Sequence, residues 1–211
     1  MITLRTAMTR GDLLRRALVL SALSIAINGI AGGIAVVVGL TTGSLSLLGF
    51  GFDAVIDSAA SVALVWRFTI ETREPHRAER VETIAEGIVG IVLVALATYL
   101  AISAARALAS GTHPTTTLAA TALLLFSLAA LPPLALAKYQ VAGKLVSRAL
   151  RADSLLTGIA AVLALIGLVS LGLSEGFGVS WADAVGALVV TAILTREGVT
   201  AIQAARNRLS I

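Results

Sequence analysis

The stretch LSLLGFGFDAVIDSAASVALVW, residues 45–66, decides what kind of protein this is. It is long enough to cross a bilayer, which takes about 20 apolar residues, and its only charges are Asp53 and Asp57. Similar runs lie on either side. Ala17–Leu40, Gly87–Ala105, Thr115–Ala137 and Ser154–Leu173 carry no charge, and a shorter clean run, Ala184–Thr195, sits inside a segment from Trp181 to Ile202. The pattern predicts an all-α membrane protein, a bundle of six transmembrane helices at about 17–40, 45–66, 84–105, 115–137, 153–173 and 181–202. Residues 1–211 read as a single transmembrane domain, with no linker and no low-complexity tract. Pro132 and Pro133 should kink the fourth helix. The first run, 24 residues without a small-residue cleavage site, reads as a span and not as a cleaved signal peptide.

Composition agrees. Of 211 residues, 57% are hydrophobic and 13% charged, about half of what a soluble domain needs to cover its surface. The mean hydropathy is +0.95. A net charge of +4 could suggest nucleic acid, but the basic residues form no face. Arg5, Arg10, Arg15 and Arg16 precede the first run. Arg67, Arg73, Arg77 and Arg80 follow the second. Lys138, Lys144, Arg148 and Arg151 follow the fourth, and Arg196, Arg206 and Arg208 end the chain. That is 15 of the 16 basic residues on alternate loops, with only Arg106 towards the other side. The positive-inside rule puts both termini in the cytoplasm of a multi-pass protein, in the plasma membrane or a bacterial inner membrane. The absence of cysteine excludes disulfides and thiolate metal sites.

Asp53 and Asp57 are the residues an apolar span should not contain. A carboxylate at the centre of a spanning helix costs about 2.5–3.5 kcal/mol on insertion scales. Spacing of four puts both on one helix face, about 6 Å apart along the axis. Two such groups either share a proton or hold a cation between them. Packing glue is the competing reading. No Arg or Lys falls in the centre of any run, so neutralisation by an intramembrane base is not expected.

The remaining polar residues carry two readings each. Asn28, midway along the first run, is either interhelical glue or a ligand facing the carboxylates. Glu86, with Glu82 and Glu79 near it, is an interfacial helix start or an auxiliary contact. Asp153 and Asp183 open the fifth and sixth helices and suit N-terminal capping, with Asp153 also a candidate cation or proton contact. Trp181 suits an interface anchor. His76 and His113 are lone loop histidines and read as solvated. Gly29, Gly33, Gly39, Gly43, Gly49 and Gly51 recur at spacings that let helices approach closely.

Several of these segments together resemble the cation diffusion facilitator family. Gly43-Ser44-Leu45 followed by Asp53 and Asp57 resembles the family's second helix, where a D-x-x-x-D pair binds metal. Ala78-Glu79 resembles the opening of the third helix. Lys144, Ser147 and Ala149-Leu150-Arg151-Ala152-Asp153 resemble the S-x-A-L-x-A-D segment that leads into helix five, and Trp181-Ala182-Asp183 the start of helix six. The resemblance spans nearly the whole chain. It implies a membrane-only branch of the family, of the zinc-efflux type, without the C-terminal cytoplasmic domain. It also implies a divalent metal ion as substrate, zinc first, with manganese, iron or cobalt as alternatives. Protons are the coupling ion, and together with the small-residue faces the resemblance suggests a homodimer in membrane lipid.

Two positions depart from the family pattern. Helix five normally supplies a His or Asp three residues after its Ala-Asp step, and an Asp four residues further on. Here these are Leu156 and Ala160. Asp53 and Asp57 carry over as metal ligands; Asn28, Ser58, Glu86, Ser154, Thr157 and Asp153 are the auxiliary candidates. An all-oxygen set favours harder ions than a histidine-containing one. The alternative function is a degenerate membrane protein that senses metal or binds a partner without transporting. No Ser/His/Asp set and no His-Glu-x-x-His motif supports an enzyme.

The charge pattern sets one test. In a chain with no native cysteine, a cysteine at Ser110 should react with an impermeant thiol reagent added outside, and one at Ser147 should not. The reverse labelling would invert the topology.

Overall fold

The computed structural model describes residues 10–70, 75–111 and 117–209, with the side chains at 64, 67–70, 75–82, 85, 148, 149, 175 and 209 left out of the description. Six helices fill these segments: α1 (Arg10–Thr42), α2 (Leu45–Ile70), α3 (Pro75–Ser110), α4 (Leu118–Leu145), α5 (Arg148–Gly176) and α6 (Ala182–Leu209). Each contains a stretch long and apolar enough to cross a membrane. The helices overrun the apolar runs. α1 starts seven residues before Ala17, and α3 starts at Pro75 and runs to Ser110. Hydropathy marks the part of a helix that lies in hydrocarbon, whereas the backbone ladder continues as far as hydrogen bonds and caps allow. Proline suits the first position of α3, where its missing N–H has no intrahelical partner to lose.

The connections are short. Gly43 and Ser44 join α1 to α2, with Gly43 at φ +74°. Val146 and Ser147 join α4 to α5; Val146 sits in the left-handed region at φ 53°, and the Ser147 side chain caps α5 by accepting the Leu150 N–H at 3.3 Å. Thr117 caps α4 in the same way, through the Ala120 N–H at 3.2 Å. α4 continues through Pro132 and Pro133.

The packing runs in pairs, α3 on α6, α1 on α2 and α4 on α5, and α2 also touches α3, α5 and α6. α2 is the most enclosed of the six. Side chains are distributed for a lipid solvent. Large apolar groups such as Ile30, Val37, Leu40, Ile91 and Leu136 face outward, while Ser21, Ser24, Asn28, Asp53, Asp57, Ser61, Ser127, Lys138, Asp153 and Thr157 are buried. Lipid tails are as apolar as leucine, so burial of large side chains does not hold these helices together. Close backbone approach and polar contacts do.

Both kinds of cohesion are present. A methyl group on Gly90 would sit 2.7 Å from the Gly198 carbonyl, and one on Gly198 2.8 Å from the Gly90 carbonyl, so α3 and α6 touch backbone to backbone. Gly51 meets α1 in the same way, 2.7 Å from the Val36 nitrogen. Of the glycines expected to serve packing, Gly33 and Gly43 face open space, whereas Gly32 packs against Ala54 and the α2 backbone.

The polar contact that seats α2 comes from Asp183. This residue caps a helix, but not its own. Its carboxylate accepts the Leu45 N–H at 2.7 Å, the Ser46 N–H at 3.4 Å, the Ser44 hydroxyl at 2.7 Å and the Ser46 hydroxyl. An anion in α6 thus answers the positive end and the orphan donors of α2. Hydrogen bonds to a charged group contribute about 1.5–3 kcal/mol each, so Asp183→Ala should destabilise the bundle by at least about 3 kcal/mol. Unfolding in mixed micelles would measure this; a loss under about 1 kcal/mol would show that water replaces the cap.

Candidate metal centre and its polar chain

Asp57 is the thirteenth of the 26 residues of α2, and Asp53 lies one turn before it. The two side chains are 4% and 5% exposed, which removes bulk water as their partner. Continuing the same spacing, Ser61 completes a polar face of α2 directed at the middle of the bundle.

α1 supplies the answer to Asp57. The Asn28 Nδ2 donates to Asp57 Oδ2 and also lies 3.3 Å from Ser24 Oγ. Ser24 in turn accepts from Lys138 Nζ at 2.7 Å. Lys138, on α4, is fully buried. Its ammonium forms an ion pair with Asp153 Oδ2 at 2.7 Å and donates to Thr157 Oγ1 at 3.0 Å, both on α5. Asp153 Oδ1 accepts from Ser61 Oγ at 2.6 Å, which returns the chain to α2. A single connected path of polar groups therefore links α1, α2, α4 and α5. Two acceptors along it have neither a hydrogen bond nor an ion pair: Asp57 Oδ1 and Asn28 Oδ1 are buried and receive no hydrogen bond in the structure, whereas Asp153 Oδ2 is met only by the Lys138 ammonium.

Lys138 corrects the expectation that no basic residue enters the interior. Counted among the loop residues after the fourth run, it lies seven residues before the end of α4, and its charge pairs with Asp153. The signal was available: Lys138 shares a helical face with Leu134, Val141 and Ala142, all buried. Asp153 corrects a second expectation. Ser147, not Asp153, caps α5, and Asp153 sits in the helix as the partner of Lys138. Glu197 was overlooked altogether. It lies on α6, and its Oε2 is buried without a hydrogen bond. It falls within the expected sixth span, two residues past the clean apolar run 184–195, and is a third intramembrane acid besides Asp53 and Asp57.

The other candidates are placed as follows. Thr157 accepts from Lys138 and donates to the Asp153 carbonyl at 3.0 Å. Ser58 donates to the Ile25 carbonyl at 3.2 Å, on the α1–α2 seam. Ser154 is buried but turned to the Arg151 carbonyl at 2.6 Å. Glu86 is held by Arg208 at 2.9 Å, with both side chains partly exposed, and takes no part in the chain. Leu156 is half-buried and Ala160 fully buried, so neither position supplies a donor atom. His113 and Glu74 lie outside the described residues, as do the side chains of His76, Glu79 and Glu82. Among the described residues no three His, Cys, Asp or Glu side chains gather closely enough to hold a metal ion.

A six-helix membrane bundle with ionisable groups threaded through its centre is built as an ion-translocating protein. The chain belongs to the cation efflux family, also called cation diffusion facilitators: the family's cation efflux transmembrane domain matches residues 21–209, essentially the whole bundle from Ser21 on. It is therefore a multi-pass membrane transporter of metal cations. No curated protein matches the chain.

The Asn28–Asp57 contact makes a separable prediction. Asn28→Leu leaves a buried carboxylate oxygen without its donor and should destabilise the protein by about 1–3 kcal/mol. Asn28→Leu with Asp57→Leu removes both partners and should recover most of that loss. A thermal-melt cycle of the four chains reads the coupling, and strict additivity would show that the pair does not interact.

Proposed function

We propose that the chain exchanges a divalent metal ion for protons across the membrane, exporting metal, with Asp53 and Asp57 as its ligands. The observation that carries this reading is the state of Asp57. An acceptor-only oxygen in a buried, low-dielectric site is tolerated where a cation or a proton is its partner. Asp57 Oδ1 and Asn28 Oδ1 are two such oxygens on directly bonded side chains.

On this reading the substrate ion sits between the α2 carboxylates and draws further ligands from Asn28 and water. Protonation neutralises the same oxygens when the ion leaves, since two carboxylates one turn apart repel when both are bare. Zinc is the first substrate, with manganese, iron and cobalt as alternatives. The chain acts as one membrane domain with both termini cytoplasmic, as a homodimer. Ser58, Thr157, Asp153 and Glu86 enter as auxiliary contacts only if the bundle rearranges, because Ser58, Thr157 and Asp153 are engaged with other groups and Glu86 with Arg208.

Asp53→Asn and Asp57→Asn keep shape and hydrogen-bonding capacity and remove charge. Each should abolish zinc-dependent proton release from proteoliposomes while the protein still inserts. The thermal midpoint should hold or rise, because a neutral amide is cheaper to bury than a carboxylate. Zinc flux at the parent's rate in both variants would reduce the pair to packing glue and end the transport assignment to these residues.

A further inference from the structure

A second cation is already present in this interior, and it is covalently attached. Lys138 has no exposed surface. Its ammonium lies against three oxygens: it forms an ion pair with Asp153 Oδ2 at 2.7 Å and donates to Ser24 Oγ at 2.7 Å and Thr157 Oγ1 at 3.0 Å. One carboxylate and two hydroxyls form the kind of shell that a hard metal ion takes. The shell is continuous with the substrate site through Ser24 and Asn28 to Asp57. It also lies on α5, the helix whose expected ligand positions hold Leu156 and Ala160.

We infer that Lys138 is a tethered competitor of the substrate ion, an ammonium that holds Asp153 and its hydroxyl neighbours while the site is empty and releases them when a divalent ion binds. The inference rests on the reading of Asp53 and Asp57 as the substrate site and adds a specificity-determining residue to it. Two physical arguments support it. A buried ion pair is rarely the most stable way to fill a protein interior, since well-packed apolar side chains of similar volume do as well or better. The Lys138–Asp153 pair is thus better explained by exchange than by stability. Lysine also suits exchange. Its charge is a point on an unbranched flexible stem, and it lies seven residues from the end of α4, about 10 Å of helix. The stem can therefore withdraw its head towards the polar end of the bundle as snorkelling lysines do. A divalent ion arriving at Asp57 repels the ammonium and attracts Asp153, so both forces favour the same displacement.

Lys138→Gln keeps a hydrogen-bond donor and removes the competing charge. Purified in detergent, it should bind zinc at least about tenfold more tightly than the parent, because the positive charge linked to the site through Ser24 and Asn28 is gone. Its zinc turnover in proteoliposomes should fall by about tenfold, because the bound ion loses the group that helps displace it. Lys138→Arg, which keeps the charge, should stay within about threefold of the parent in affinity. A purely structural lysine predicts the opposite for the Gln variant, unchanged or weaker zinc binding with loss of folded protein.

A labelling measurement covers the case in which the Gln variant does not fold. Lys138 and Lys144 are the only lysines in the chain, and Lys144 is exposed. In Lys144→Arg protein, saturating zinc should speed acylation of Lys138 by a small amine reagent about tenfold, read by peptide mass spectrometry, as the displaced population grows. An unchanged rate while zinc binds would overturn the inference. Asp57→Asn separates the two claims. If it loses zinc binding while Lys138→Gln binds like the parent, only the role of Lys138 fails. If Asp57→Asn and the parent bind zinc alike, the substrate-site reading fails and takes this inference with it.

Discussion

The constraint on which this bundle depends is that a charge buried among lipid-facing helices must be answered from within the protein. Water cannot do it, and lipid offers nothing. Asp57, Asp153 and Lys138 are each enclosed, and each is answered by a residue on another helix. This requirement fixes which helices surround the polar face of α2. α1 must bring Asn28 and Ser24, α4 must bring Lys138, and α5 must bring Asp153 and Thr157. A rotation of about 100° of any of them, one residue's worth of helix, would strand a charge. The polar chain acts as a register device as much as a source of stability.

The α3–α6 pair is held differently. It has glycine backbone on glycine backbone at Gly90 and Gly198, a contact of dispersion and close approach, together with the partly exposed Arg208–Glu86 ion pair. Hydrogen bonds around an ammonium can be exchanged for bonds around another cation. A backbone contact at van der Waals distance has no such substitute. Both kinds of contact occur in the α1–α2 and α3–α6 pairs alike: Gly51 meets the α1 backbone while Asn28 donates to Asp57, and Gly90 meets Gly198 while Arg208 pairs with Glu86. α2 is capped at its start by Asp183 of α6 and carries the ionisable face in its middle.

Much of this was legible in the chain. The spans follow from hydropathy because a bilayer imposes a length, and Asp53 and Asp57 stood out because an uncharged background makes a charge conspicuous. What the sequence concealed had a common cause. Lys138 lies just past the end of its apolar run, where a window of average hydropathy hands it to the loop, and Glu197 lies just past the clean run 184–195 beside Arg196, where a charge reads as interfacial. Whether a side chain there points into the bundle depends on which helix packs against it, a property of the tertiary structure. Asp153 and Asp183 look alike in sequence, each an acid near the start of a helix, and capping suits both. The structure gives one to a lysine on α4 and the other to the N-terminus of α2. A local pattern identifies an acid near a helix start but not which helix end or base it will meet.

The donor set has a consequence for ion choice. Neither histidine lies in an apolar run, and there is no cysteine, so an ion bound at Asp53 and Asp57 meets oxygen alone from the described interior. Nitrogen and sulfur ligands are what separate zinc from manganese or magnesium by softness. With oxygen only, discrimination falls to size, to the work of stripping water, and to the positive charge that must be displaced. An ammonium competing for the ligands sharpens the last of these, because a divalent ion has twice the charge of the lysine and a monovalent ion only matches it. Rejection of sodium and potassium would then come from Lys138. Preference among divalent ions would come from the spacing of the oxygens that Asn28 and the two carboxylates offer.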